Sequence, residues 1–359
     1  MSDRREFLMQ AAIIGSGVAS QTASAQQQRA DLPMDRVNAL LDAFGVRYPI
    51  FCAGMGSAAG PALATAVSNG GGVGGLGSAG LGSPDVLREQ IARIRASTDG
   101  PFAVNFLLSF DPVMLPVAID AGAPVIQFAW GIPSSDMVAM VRSAGAKMGI
   151  QIGSADGARR ALDAGADYLV CQGTEAGGHV QATSELYAVL AEVIEVANDV
   201  PVLAAGGIAA GTEIRRAIMA GASGVLVGTR FVATMEADVH DDYKREIARA
   251  SARDTVMTVC FQNEWPNAPH RVLRNSTFRN WEAAGCPPAG RRPGEGDVVA
   301  TNPTIGPILR YSVRPPGPED QGDMTDLALY AGEGVDAIND IPPAGQLVRR
   351  LWEDCLAAA

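Results

Sequence analysis

From residue 48 onward the chain alternates two patterns: short, continuous apolar runs, and longer segments whose apolar residues return at helical spacing. An unbroken apolar run of about four to eight residues between turn signals suits a strand buried on both faces, whereas a 3.6-residue period suits a helix buried on one. The junction between the two recurs almost verbatim, as AGAPVIQF from 121, AGAKMGIQ from 144, AGADYLVC from 164 and AGASGVLV from 220. Each predicted helix there ends in a glycine, which suits a left-handed C-cap, and a strand begins at once. YPIFCAGM (48–55), GGVGGLG (71–77), PFAVNFLL (101–108) and VPVLAAGG (200–207) bring the predicted β/α units to eight.

Eight such units predict a closed parallel barrel of the (β/α)8 TIM type, with a loop-rich and helical extension behind it. A doubly wound open sheet is the competing architecture, and GGVGGLG does contain G-x-G-x-x-G at Gly72, Gly74 and Gly77. That fingerprint has to follow a strand, but residues 61–70 read as a helix, so these glycines are expected to form the second strand itself. The barrel is expected over residues 31–250 and the extension over 251–359. Residues 1–25 read as a twin-arginine export signal, with Arg4 and Arg5 before a short apolar run and Ala23-Ser24-Ala25 as the cleavage site. The run is too short for a stable membrane anchor. The expected location is therefore periplasmic or exported, and cytoplasmic if the signal is not used.

In such barrels the chemistry sits where strands end. Asn105, Gln127, Gln151 and Gln172 fall at comparable points of four consecutive strands, and ionisable groups are nearly absent there. Lys147 stands at the wrong end of its strand for a Schiff base. A site rich in amides and poor in acids and bases suits a bound cofactor, although the amides can also satisfy one another. After the last two strands stand Gly206 and Gly207, then Gly228 and Thr229, where glycine lets backbone N–H groups approach a phosphate. One phosphate with an amide-lined pocket favours a mononucleotide.

PIFCAGMG, GGVGGLG, QGTEAGGH, PVLAAGGIAAG and GVLVGTRFVAT, in that order, resemble the nitronate monooxygenase family, formerly called 2-nitropropane dioxygenases. The resemblance is close over residues 46–250 and implies an FMN-dependent barrel enzyme. By motif it implies that Ala53, Gly54 and Met55 lie against the flavin ring, that Asn105 and Gln151 bond its polar rim, and that Gly177 and Gly178 pass close to it. Ala205, Gly206, Gly207, Gly228 and Thr229 are implied to hold the phosphate, with no metal. It also makes His179 the catalytic residue, a base or hydrogen-bonding partner beside the flavin, since imidazole with an ordinary pKa near 6.5 exchanges protons near neutrality. The implied reaction oxidises alkyl nitronates with oxygen to carbonyl compounds and nitrite. Two positions depart from the family: QFAWG stands where many members carry Ser and His, and Gln151 replaces a lysine of several relatives.

Composition narrows the partners. The net charge of −11, with Lys147 and Lys244 as the only lysines, excludes a phosphate-backbone reader, so no nucleic-acid partner is expected. Five scattered cysteines form neither a zinc pattern nor a disulfide framework. Residues 263–320 carry ten prolines and read as a long loop over the barrel mouth, whose Arg271, Arg274, Arg291 and Arg292 are candidates for an anionic substrate or nucleotide. Residues 326–338 read as helical, and AGQLVRRLWEDCL as an amphipathic helix packed on the barrel or on another subunit. The oligomeric state stays open. So do the role of Glu175, an NAD(P)H-dependent reductase of enoyl thioesters or quinones on the same flavin scaffold, and a non-redox isomerase or lyase using the phosphate loops.

Overall fold

The computed structural model describes residues 32–358; the export signal read at residues 1–25 lies outside them. Eight parallel strands form one sheet: β1 (Ile50–Cys52), β2 (Gly74–Gly77), β3 (Phe102–Leu107), β4 (Val125–Ala129), β5 (Lys147–Ile152), β6 (Tyr168–Gln172), β8 (Val202–Ala205) and β9 (Gly224–Val227). The short β7 (Gly178–His179) belongs to another sheet. The order is β1-β9-β8-β6-β5-β4-β3-β2. Its two ends meet through a parallel bridge of Phe51 with Val73, where the Cys52 N–H donates to the Val73 carbonyl at 2.9 Å. The sheet is thus a closed TIM barrel, with no strand edge left open.

Period-two alternation divides the side chains of each strand. Val125 of β4, Tyr168 and Val170 of β6 and Leu203 of β8 fill the barrel, whereas Ile126, Phe128, Leu169 and Cys171 face the surrounding helices. The glycines of GGVGGLG do form β2: a Cβ on Gly75 would lie 2.2 Å from the Cys52 carbonyl oxygen of the neighbouring strand β1. Helix Met34–Phe44 plugs the N-terminal end with Leu40 and Phe44, the latter ring standing edge-on 5.0 Å from Phe51 and 5.4 Å from Tyr168. The four AGA junctions place Gly122, Gly145, Gly165 and Gly221 at positive φ, where the chain reverses from helix to strand.

The C-terminal helix Ala344–Ala357 packs against helices Pro61–Gly70 and Gly211–Met219, burying Leu347, Val348, Leu351 and Trp352. It thus lies between two helices of the outer ring, and β9 is followed first by the one-turn helix Thr229–Val232. Two segments differ from the expectation. Residues 263–320 are not one loop but hold β11 (His270–Leu273), helix Ser276–Ala283 and the hairpin β12 (Val298–Asn302) and β13 (Gly306–Leu309), with β14 (Gln321–Gly322) just beyond. Residues 326–338 are extended between 3-10 turns rather than helical. Their backbone bonds run sideways, Leu329 accepting from Leu273, Ala331 donating to Arg271 and Glu333 donating to Glu175, so none remain for an i to i−4 ladder.

β10 (Thr255–Thr258), β11 and β7 make a three-stranded antiparallel sheet in which His270 stands opposite His179 and Arg271 opposite Gly178. No helix among the described residues is long and apolar enough to cross a membrane.

Candidate active site

The C-terminal ends of the barrel strands open into a cavity of about 920 Å³. Ala53, Gly54 and Met55 behind β1, Asn105 in β3, Gln151 in β5, Gly177, Gly178 and His179 behind β6, Ala205, Gly206 and Gly207 at β8, and Gly228 and Thr229 behind β9 all line it. Residues spread from position 53 to position 229 thus meet in one space because the strands carrying them share a barrel end.

The four strand amides divide by role. Gln127 receives the Tyr168 hydroxyl on Oε1 and donates from Nε2 to Asn105 Oδ1, both at 3.1 Å. This chain rises from the barrel core and leaves the Asn105 amide hydrogens without a protein acceptor among the described residues. Gln172 is used internally: its Oε1 accepts from the Gln181 N–H at 2.9 Å and its Nε2 donates to the His179 carbonyl at 3.3 Å. Gln151 lends only its backbone carbonyl, to Gln181 Nε2 at 2.8 Å, so its half-buried side chain stays free at the cavity wall.

At the far wall, Gly206 and Gly207 take φ of 120° and 68°, and no protein acceptor among the described residues takes the N–H of Gly206, Gly207 or Gly228. Unpaired amide donors converging on one wall are what an anion requires. Thr229 Oγ1 accepts from the Gly332 N–H at 3.0 Å, which leaves its own hydroxyl hydrogen to donate.

The Gly177-Gly178 pair has two separate causes. A Cβ on Gly177 would lie 2.4 Å from Gly332 N and 2.8 Å from Thr229 Oγ1, so the residue is small because it packs against protein. Gly178 has open space around it but a φ of 76°.

His179 follows, half-buried, its Nε2 shielded from solvent and without a hydrogen-bond partner among the described residues. Trp265 stacks on it at 4.2 Å and 23°, and Tyr330 and His270 lie 5.5 Å and 5.1 Å away. Burial in this aromatic cage, with a smaller push from His270, lowers its pKa to about 3. The ordinary value near 6.5 does not hold in the folded protein, and His179 is neutral at pH 7. His270 sits on β11 and not in a loop. It is fully buried, with Nδ1 bonded to the Ala268 carbonyl at 2.9 Å and Nε2 accepting from the Phe261 N–H at 3.3 Å, and burial brings its pKa to about 4. His240 is the N-cap of helix Asp241–Arg249.

Glu175 orients a backbone amide: its two carboxylate oxygens accept the Leu186 N–H at 3.0 Å and 2.9 Å, at the start of helix Leu186–Ala197. None of the four candidate arginines lines the cavity. Arg271 is spent on the Thr174 carbonyl and Glu333, Arg274 on Glu282, and Arg292 on Glu295 and the face of Tyr311. The cavity arginine is Arg314, with both arms on Asp320 at 2.5 Å and 3.0 Å. Trp265, Tyr330 and Gln181 carried no sequence signal, because their roles arise only from the distant elements that they touch.

A profile of the family described as nitronate monooxygenase matches residues 38–118 and 113–354. The chain is 29% identical to a nitronate monooxygenase of Paraburkholderia phytofirmans over 87% of its own length and 93% of the relative's. It is 36% identical, over 68% of each chain, to a Mycobacterium tuberculosis protein named (3aS,4S,5R,7aS)-5-hydroxy-7a-methyl-1-oxo-octahydro-1H-indene-4-carboxyl-CoA dehydrogenase. Among solved structures, FabK from Thermotoga maritima superposes with a TM-score of 0.73 at 31% identity, covering 88% of this chain and 95% of that one. Nitroalkane oxidase from Streptomyces ansochromogenes gives 0.72 at 28% identity, covering 89% and 98%.

Proposed function

From the premise that this chain belongs to the nitronate monooxygenase family and is an oxidoreductase, we propose that it binds FMN in the barrel mouth and oxidises alkyl nitronates with oxygen to carbonyl compounds and nitrite. The observation that carries the reading is the shared cavity, which joins unpaired N–H groups at Gly206, Gly207 and Gly228 on one wall to His179, whose Nε2 has no hydrogen-bond partner among the described residues, on another. The first suits the phosphate of a mononucleotide, which the net charge of −11 and a cavity without a free basic side chain leave to backbone donors. Asn105, with its amide hydrogens free, and Gln151 supply neutral hydrogen-bonding groups for the polar rim of a flat ring. Ala53 and Gly54 bring bare backbone to the same wall.

When bound, FMN supplies the electron acceptor and the reaction with oxygen. The chain's own residues bind and orient. A neutral His179 offers no charge of its own, but an anionic substrate beside it raises its proton affinity, so the ring accepts a proton or hydrogen-bonds as negative charge enters. That property fits a substrate arriving already deprotonated, a nitronate, better than a neutral nitroalkane that needs a resident base. Trp265, stacked on the ring, keeps water from the imidazole face.

A second reading, reduction of a thioester substrate by NAD(P)H on the same flavin, rests on the 36% identity to the CoA-ester dehydrogenase. The pairing of Arg314 with Asp320 speaks against it, since it leaves the polyphosphate of a dinucleotide no basic side chain in the cavity. One preparation separates the two. The purified protein should show a flavin spectrum and consume oxygen when given propyl nitronate. Bleaching by NADH without oxygen, with no nitronate-dependent oxygen uptake, overturns the first reading in favour of the second, and a colourless protein that takes up no FMN overturns both.

A further inference from the structure

The cavity does not end at His179. Phe110, Val113, Ile305 and Leu309 are four of the nine large apolar side chains exposed on the described chain, and all four line the mouth of this one cavity. Ile305 and Leu309 stand at 57% and 41% exposure. Large apolar groups gathered at one place, rather than scattered, mark a surface that something covers.

The hairpin β12–β13 presents this surface by simple alternation. Ile308 packs onto Ala300, Met324 and Leu327, whereas Pro307 and Leu309 alternate to the exposed side of the hairpin, and all three border the cavity. Phe110 and Val113 come from the loop between β3 and helix Leu115–Asp120. The strip is continuous with the reaction site through Trp265, which stacks on His179 and meets Phe110 edge-on at 4.9 Å.

Of the three charged side chains at the mouth, Asp111 stays exposed and the other two are committed to protein partners. Glu264 accepts from the Ser312 hydroxyl at 3.1 Å and the Val313 N–H at 2.8 Å, and Arg314 is held by Asp320. An anionic tail would meet the Glu264 carboxylate and find no free cation. An uncharged hydrocarbon tail would cover exposed apolar area without disturbing the Glu264 and Arg314 pairings.

We propose that the groove between Ile305, Pro307, Leu309, Phe110 and Val113 is a subsite for an extended, uncharged hydrocarbon substituent, so that the substrate is a carbon acid with a long alkyl tail rather than a short or charged one. The proposal rests on the nitronate reading for the reacting head and on the mouth itself for the tail.

The test compares alkyl nitronates of two to eight carbons. For the wild-type chain, kcat/KM should rise about two- to fourfold per methylene before levelling off, as burial of one CH2 implies. An ω-carboxylate on the longest nitronate should cancel the gain. Ile305→Ser with Leu309→Ser should flatten the slope, which a uniform loss of activity would not do, and Met219→Ser, at an exposed apolar residue of the outer helix Gly211–Met219, should keep it. Calorimetric titration with 1-alkanols from ethanol to octanol reads the groove without turnover. Affinity that grows with alkanol length while no nitronate is oxidised supports the groove and overturns the head-group reading alone. No dependence on length in either measurement overturns the groove. So does a wild-type dimer, or binding to neutral lipid vesicles, that the double variant abolishes, because the apolar strip would then serve a second copy or a lipid surface.

Discussion

The imidazole of His179 lies 4.2 Å from the indole of Trp265, with the ring planes 23° apart, although the two residues stand 86 positions apart in the chain. Trp265 is therefore a positioning residue: it excludes water from His179 and keeps the ring neutral. Replacing it with alanine should raise the His179 pKa from about 3 toward the ordinary 6.5, read as the titration of its ring Cε1–H signal by NMR. With only three histidines in the chain, assignment is direct. A variant whose signal still titrates near pH 3 would place the cause of the shift elsewhere.

His179→Asn removes the ring nitrogen Nε2 and leaves the β7–β11 pairing, which is made by backbone. The expected loss of kcat/KM on a preformed nitronate is about 10²-fold or more. Wild type should itself turn over the neutral nitroalkane far more slowly than its nitronate at pH 7, because the resident imidazole is a weak base. Equal rates of wild type and variant on the nitronate would remove His179 from the reaction.

Gly177→Ala and Gly178→Ala should differ in kind. The first drives a methyl into Gly332 N and Thr229 Oγ1, and should cost about 1–3 kcal/mol of stability while loosening the wall beside Thr229. Flavin retained on gel filtration should fall with it. Gly178→Ala meets only open space, and its left-handed backbone should cost about 1 kcal/mol. Denaturant midpoints of the two variants check the order.

Glu175→Ala leaves the first N–H of helix Leu186–Ala197 without its acceptor and removes a negative charge from that helix terminus. Stability should drop by about 0.5–2 kcal/mol, with kcat on the nitronate changed less than twofold. A large kcat effect at unchanged stability would give Glu175 a part in the reaction itself.

His179 and His270 both titrate lower folded than unfolded, near 3 and 4 against 6.5. Between those limits the unfolded chain binds protons that the native state refuses, so stability rises with pH across roughly 3 to 6.5 and is lost as pH falls through it. Urea midpoints at pH 4, 5 and 7.5 should show this slope, and His179→Asn should make it shallower. An unchanged slope in the variant would mean that the ring is solvated.

The barrel was legible because each of its strands is a local pattern: an apolar run launched by a helix-ending glycine reads the same in any context, and strand ends then name the residues of the mouth. Every residue so named does line the cavity. The behaviour of those residues was less legible. Gln172 and Gln127 have equivalent strand positions to Asn105 and Gln151, yet both are consumed by internal bonds, Gln172 to residues 179–181 and Gln127 to Tyr168 and Asn105. Residues 326–338 have helical composition, and their backbone was claimed by other elements. Periodicity is a property of neighbours along the chain, so the sequence alone determined the strands, their order and the polar ring at their ends. The protonation of His179, the reason for Gly177 and the apolar mouth depend on groups some fifty or more residues away. Burial and pairing between such segments exist only once the chain has closed on itself, and the tertiary structure alone decided them.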